Sequence, residues 1–204
     1  MKLMPCADSG LLVEMSDMDE VLALYAQLDE DPPEGIIDMV PAATTLLLTI
    51  DPAQTDVERL SRQVSSVTIG RHHRAMTGEV EIPVVYDGED LAEVARLTGL
   101  DERGVIEAHT GQPWTVAFCG FAPGFGYMVG GDERLQVPRR DNPRTKVPPG
   151  SVALAGEFTS VYPRESPGGW QLIGRTSLEV WDIDAEPPAL LVPGTVVRFV
   201  EASS

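Results

Sequence analysis

Beyond His109 the sequence is a succession of short apolar runs, at residues 114–118, 151–155, 171–174, 178–183 and 195–200, each cut off by glycine or proline. Runs of this length with regular turn signals bury themselves as strands of a closed or sandwiched β architecture. The first half has a different texture. Asp17 followed by Glu20 has capping-box spacing, and Val21, Leu24, Tyr25 and Leu28 then recur at helical intervals until Pro32 and Pro33 stop the run. Thr55 and Glu58 repeat that spacing ahead of Val57, Leu60, Val64 and Val67, and the β-branched, leucine-rich residues 44–50 between the two helices read as a buried strand. Val80, Ile82, Val84 and Tyr86 alternate as a strand ending in Asp87-Gly88. A helix over Leu91, Val94, Ala95 and Leu97 follows, closed by Gly99, and Asp101 opens another that carries Val105 and Ile106. Residues 70–78 are polar and without period, so the junction is expected there: a small α+β domain over residues 1–78 and a β domain over residues 79–204.

The chain has 204 residues, 43% hydrophobic and 23% charged, an ordinary globular balance. No apolar run approaches the roughly 20 residues of a membrane span, and the start shows no export signal, so a soluble chain is expected. Its two cysteines, Cys6 and Cys119, fit neither a zinc spacing nor a disulfide framework, which points to reduced thiols in a cytoplasmic setting. A formal charge of −17 repels phosphate backbones and anionic membranes, arguing against nucleic acid or membrane as partner. His72 and His73 are adjacent, which points their side chains apart, and no metal site is expected.

Three segments can carry chemistry. Residues 120–128, Gly-Phe-Ala-Pro-Gly-Phe-Gly-Tyr-Met, follow a predicted strand. Such a loop can gather backbone N–H groups into an anion nest walled by Phe121, Phe125 and Tyr127, or it can be a tight turn with core aromatics. Residues 138–150 hold Arg139, Arg140, Arg144 and Lys146 between prolines, either a cationic site for a carboxylate or phosphate or loop charge balancing acidic neighbours. Residues 166–176 pair a glycine turn with Trp170 and Arg175, against which a ligand can sit, or which can bury Trp170 in the core. His109 is a candidate general acid or base. Neither a Walker A loop nor a Gly-x-Ser-x-Gly elbow is present, so any ATP contact is unconventional or shared.

Taken in order, these segments resemble the family that groups the B-type subunit of 5-oxoprolinase, the kinase inhibitor KipI and allophanate hydrolase subunit 1. The likeness is carried by Gly88-Glu89-Asp90-Leu91, Thr98-Gly99-Leu100, His109, residues 120–128, 138–144, 148–156 and 162–176, with Val40-Pro41-Ala42 upstream. The resemblance implies an α+β N-terminal domain and a cyclophilin-like β-barrel C-terminal domain. It also implies a component of an ATP-dependent amidohydrolase, active with a subunit 2 type partner on a small amide, with ATP shared with that partner. By position it implies His109, Arg144 and Arg175 as catalytic, and Phe121, Pro123, Gly124, Tyr127, Arg139, Ser166, Gly168, Gly169, Trp170 and Thr176 as substrate-binding. Cys119 departs from the pattern and is read as packing. Two other roles share the resemblance: a KipI-like inhibitor that binds a sensor histidine kinase without chemistry, and a part like that of urea amidolyase. The latter needs a biotin carrier on another chain, since no Met-Lys-Met occurs here.

Overall fold

The structure is a computed structural model that describes residues 1–67 and 78–203. The expected junction lies outside the described residues apart from Gly78, as do His72 and His73. The chain forms two compact units, Met1–Ala75 and Met76–Ser204.

The first unit contains strands β1 (Lys2–Cys6) and β2 (Gly10–Glu14), helix α1 (Met18–Glu30), strands β3 (Ile36–Pro41) and β4 (Thr45–Ile50), and helix α2 (Val57–Ser66). Its strands make an antiparallel sheet in the order β1-β2-β4-β3. Leu46, Leu48 and Ile50 of β4 alternate inward and meet Leu11 and Val13, with Val21, Leu24 and Leu28 of α1 and Leu60 and Val64 of α2 completing one core. Asp17 caps α1 by accepting from the Glu20 N–H, as its spacing predicts. For α2 the expected cap is displaced by one residue: Asp56 accepts from the Arg59 N–H, and Thr55 is buried. A carboxylate is the stronger acceptor for a helix N-terminus, where the dipole also favours it.

The second unit opens with β5 (Gly78–Val84), α3 (Leu91–Thr98) and α4 (Glu102–Thr110), and β6 (Trp114–Cys119) and β7 (Gly126–Val129) follow as a hairpin. Next come β8 (Arg144–Val147), β9 (Ser151–Ala155), β10 (Phe158–Val161), β11 (Ser166–Gly168), β12 (Gln171–Arg175) and β13 (Thr195–Glu201). The main sheet runs β12-β9-β10-β7-β6-β13-β5, and β8 pairs separately with β11. The sheet curls until its edges meet. Val85 and Arg175 exchange both backbone hydrogen bonds at 2.9 Å, and the Gly88 and Asp90 N–H groups donate to Ile173 and Leu172 carbonyls. One face packs Ile82, Val84, Trp114, Leu154, Ile173 and Phe199 against apolar residues of α3 and α4. A second cluster holds Ala153 and Ala155 of β9 and Leu172 of β12, which alternate with residues of the first, together with Phe125, Tyr162 and Trp170 at the strand ends.

The strand expected over residues 178–183 is not formed. Asp182 captures the Asp184 N–H with its side chain, Pro187 and Pro188 have no N–H to give, and only a single bridge joins Trp181 to Ala189. Ile183 is left 74% exposed. Closure of the sheet depends on Gly88, where a Cβ would collide with the Leu172 carbonyl oxygen. Gly88→Ala is expected to lose about 1–3 kcal/mol by this overpacking, measured as a lower denaturation midpoint. An unchanged midpoint would show that the closure yields freely.

Candidate functional site

The 120–126 turn takes its shape from two local preferences. Ala122, Pro123, Gly124 and Phe125 form a β-turn with Pro at its second position and Gly124 at φ +78 in its third, closed by the Phe125 N–H donating to the Ala122 carbonyl at 3.0 Å. Ahead of it the Ala122 N–H donates back to the Gly120 carbonyl at 2.7 Å with Phe121 at φ +68, a γ-turn of the strained kind. The Gly120 N–H donates to the Phe125 carbonyl. Of the two readings of this loop, these bonds form the tight turn with core aromatics, and the amides of Gly120, Ala122 and Phe125 are used inside it. The turn presents side chains instead. Phe121 is 56% exposed, its ring 5.2 Å from Phe125 and 6.2 Å from Tyr162.

Tyr162 is the hub on which the glycine-rich segments converge. Its ring meets Phe125 edge-on at 5.2 Å, its hydroxyl fills the space a Cβ on Gly168 would need, and it receives the Trp170 backbone N–H. Burial pushes its phenol up to about 12, so it stays a neutral donor at ordinary pH. Trp170 lies edge-on to both Phe125 and Tyr127, and Tyr127 stacks on Phe118 at 4.5 Å and 19°. Residues 138–140 lie against this cluster: Gln171 Nε2 donates to the Pro138 carbonyl, and the Arg140 N–H donates to the Gly169 carbonyl at 2.7 Å. Arg139 is bracketed by those bonds, and its positive charge is felt at the phenols of Tyr127 and Tyr162.

Of the residues expected to bind substrate, Phe121, Tyr127, Arg139, Gly168, Gly169 and Trp170 are thus gathered around Tyr162. Pro123 is exposed on the turn, and Gly124 packs against Trp181. Ser166 lies on β11 with its hydroxyl donating to the Arg164 carbonyl. Thr176 and Tyr162 both line a separate cleft of about 320 Å³.

Of the three residues expected to be catalytic, Arg144 lies on β8 opposite Gly168, and His109 and Arg175 are engaged in other parts of the unit. His109 is wholly enclosed in the core, its ring 4.2 Å from that of Phe199. Thr159 donates its hydroxyl to the Ala153 carbonyl, so His109 Nε2–H donates to Thr159 Oγ1 and Nδ1 accepts from Tyr86. Both ring nitrogens are thus engaged by partners inside the core. Arg144 binds Asp90 through both terminal nitrogens, at 2.8 and 2.9 Å, and Glu89 at 3.0 Å. Arg175 pairs with Asp87 at 2.9 Å where the sheet edges meet. The residues that local reading misses are Asp90 and Tyr162. A lone Asp after a turn looks like one more helix cap, and an aromatic before a proline like core. Among the described residues no group of three or more His, Cys, Asp or Glu could hold a metal ion, and no helix is long and apolar enough to cross a membrane.

A family profile described as "Carboxyltransferase domain, subdomain C and D" matches residues 1–191. The chain is 38% identical to the B-type subunit of 5-oxoprolinase from Bacillus subtilis over 198 residues, covering 90% of this chain and 82% of that protein. It is 34% identical to the Haemophilus influenzae protein of the same name, covering 98% and 97%. Among solved structures, TTHA0988 matches with a TM-score of 0.79 at 38% identity over 97% of this chain; the chain spans 40% of that longer one. The Kluyveromyces lactis urea amidolyase structure shares the fold at a TM-score of 0.78 and 18% identity, covering 98% of this chain and 15% of that one.

Proposed function

Because the chain belongs to the family of carboxyltransferase domains, subdomains C and D, we propose that it is a component of an ATP-dependent amidohydrolase of the 5-oxoprolinase type. The observation that carries this reading is the convergence of the 120–126, 138–140 and 166–170 segments about the buried Tyr162, with the exposed Phe121 ring beside it and Arg139 on the segment that packs against Gly169 and Gln171. The names of the relatives support the substrate class, since a 5-oxoprolinase named by subunit implies action on a small cyclic amide within an enzyme of several subunits. The curled sheet whose edges meet at Val85 and Arg175 supports a cyclophilin-like barrel for residues 79–204.

ATP is proposed to be held mainly by a subunit 2 type partner. A nucleotide triphosphate calls for several compensating cations, and among the described residues most lysines and arginines are already paired with carboxylates of this chain. This chain's contribution is to grip the acidic end of the substrate and keep water from the reacting amide by its aromatic wall. Reduced Cys6 and Cys119 suit operation in the cytoplasm.

The test is coexpression with the subunit 2 type protein followed by assay of ATP-dependent ring opening of 5-oxoproline, with allophanate in parallel. Glutamate formed in step with ADP is the expected result. A stable pair that cleaves neither amide, alongside capture of a sensor histidine kinase by this chain, would replace the reading with an inhibitory one.

A further inference from the structure

Helices α1, α2, α3 and α4 each begin at an aspartate, and three of the four carboxylates cap their helix: Asp17, Asp56 and Asp101 accept from a backbone N–H three residues on. Asp90, at the start of α3, makes no such bond. Its buried carboxylate accepts instead from the Leu172 N–H at 2.7 Å, from both terminal nitrogens of Arg144 and from Arg140, while its own N–H donates to the Leu172 carbonyl at 2.9 Å. Four donors fill the lone pairs that a carboxylate has to offer.

Both arginines belong to a segment that is also stitched to the glycine turn. Gln171 Nε2 donates to the Pro138 carbonyl, the Arg140 N–H donates to the Gly169 carbonyl, and Arg144 pairs with Gly168 across β8 and β11. Between these anchors residues 141–143 are exposed and belong to no helix or strand. Arg139, on the same stretch, is exposed and, like Arg164, has no carboxylate partner among the described residues. Its place is set by the backbone that carries it rather than by an ion pair of its own.

A buried ion network is weak evidence of stability for its own sake, since well-packed apolar residues of similar volume often hold a fold as well or better. What it supplies is direction: a guanidinium bound through two nitrogens fixes distance and plane, where an apolar contact leaves latitude. We propose that Asp90 is a positioning residue of the candidate site, holding residues 138–144, and Arg139 with them, against the glycine turn beside Tyr162. Being buried, Asp90 acts through that segment and not on a ligand. The inference rests on the amidohydrolase reading for what the surface acts on, whereas the placement itself needs neither substrate nor partner.

The experiment has two arms. In the first, amide hydrogen exchange of the single, full chain is followed by mass spectrometry, well below the melting temperature. Asp90→Asn is expected to speed exchange at least tenfold in residues 138–144 and 169–172 and to leave β6 and β7 unchanged, the mark of a local opening. In the second, the chain is coexpressed with the subunit 2 type protein, and ATP-dependent turnover of 5-oxoproline is measured at matched amounts of assembled complex. Asp90→Asn should lower kcat/KM at least tenfold, mainly through KM, because a misplaced grip weakens the bound substrate as well as the transition state. Arg140→Met removes one arm at a partly exposed position and keeps the Asp90–Arg144 pair, so it should move both readings the same way by a smaller factor. Val105→Ala, a cavity in the core at α4, should lower the melting temperature and change neither reading. Faster exchange spread evenly over the unit, unchanged exchange in residues 138–144, or unchanged kcat/KM with that segment loosened would each overturn the positioning role. Absence of turnover by the wild-type pair would instead overturn the amidohydrolase reading, and the exchange pattern would still decide the placement.

Discussion

Asp90→Ala is expected to remove about 3–5 kcal/mol of stability, the cost of stripping one partner from a buried charge network. The Asp90 side chain is only 4% exposed and is met by the Leu172 N–H at 2.7 Å, by both terminal nitrogens of Arg144, and by Arg140. It fastens the start of α3 to β12 and to the arginine segment that flanks the aromatic surface. Burial pushes its carboxyl upward, but the Arg144 hydrogen bond, the Leu172 N–H and the charges of both arginines prevail and hold it below the usual value of 3.8. Its contribution is thus present above that value and is lost as pH falls through the lower, folded one. Denaturant titration at neutral pH measures the loss. Pairing Asp90→Ala with Arg144→Met should cost less than the sum of the two single changes, because each single change strands the other's charge. A loss under about 1 kcal/mol would reduce the network to the standing of a surface ion pair.

The second large effect is a loss of stability in weak acid that traces to His109. Burial lowers its pKa from 6.5 to about 3, so the folded protein keeps the ring neutral while the unfolded chain protonates it near the ordinary value. Between those limits the unfolded state binds the extra proton, so stability is fully present above about pH 6.5 and declines as pH falls. At about 1.4 kcal/mol per pH unit, roughly 2 kcal/mol should be gone at pH 5. Tyr86 is the titratable group in contact with the ring, and its phenol is itself pushed up by burial and by Glu201, so it stays neutral throughout this range. Denaturation midpoints from pH 7.5 to 5 provide the measurement. His109→Gln should be less stable at neutral pH but should flatten the slope. A slope that persists in that variant would assign the acid sensitivity to other groups.

Local pattern makes much of the fold legible. Asp17 and Asp101 cap their helices by donor–acceptor geometry that needs only neighbours three residues away, and Gly99 ends α3 in the left-handed conformation that glycine takes most readily. Residues 151–155 read as a strand from their composition and are one. The strands that pattern does not mark are β1, β2, β3, β7, β8, β10 and β11; β1, β3, β8 and β11 are edge or two-stranded elements with mixed exposure, defined by pairing rather than periodicity, whereas β2, β7 and β10 are inner strands too short for a period to stand out.

The site is legible as segments but not as roles. Glycine spacing points to residues 120–126 and 166–170, and both meet at Tyr162. No local rule says which of three neighbouring arginines finds Asp90, some 50 residues upstream, and which is left without a carboxylate. His109 reads as an acid or base because a histidine in sequence carries no mark of burial. Its enclosure arises from Tyr86, Trp114, Thr159 and Phe199, brought together only by the curled sheet.

The most direct measurement is the ATP-dependent turnover of 5-oxoproline by the coexpressed pair, comparing wild type with Arg139→Ala and Arg164→Ala at matched amounts of assembled complex. The account predicts that kcat/KM falls at least tenfold for Arg139→Ala, about 1.4 kcal/mol or more of lost transition-state stabilisation, and holds for Arg164→Ala. Unchanged kcat/KM in Arg139→Ala would contradict it and send the search for the working surface away from Tyr162.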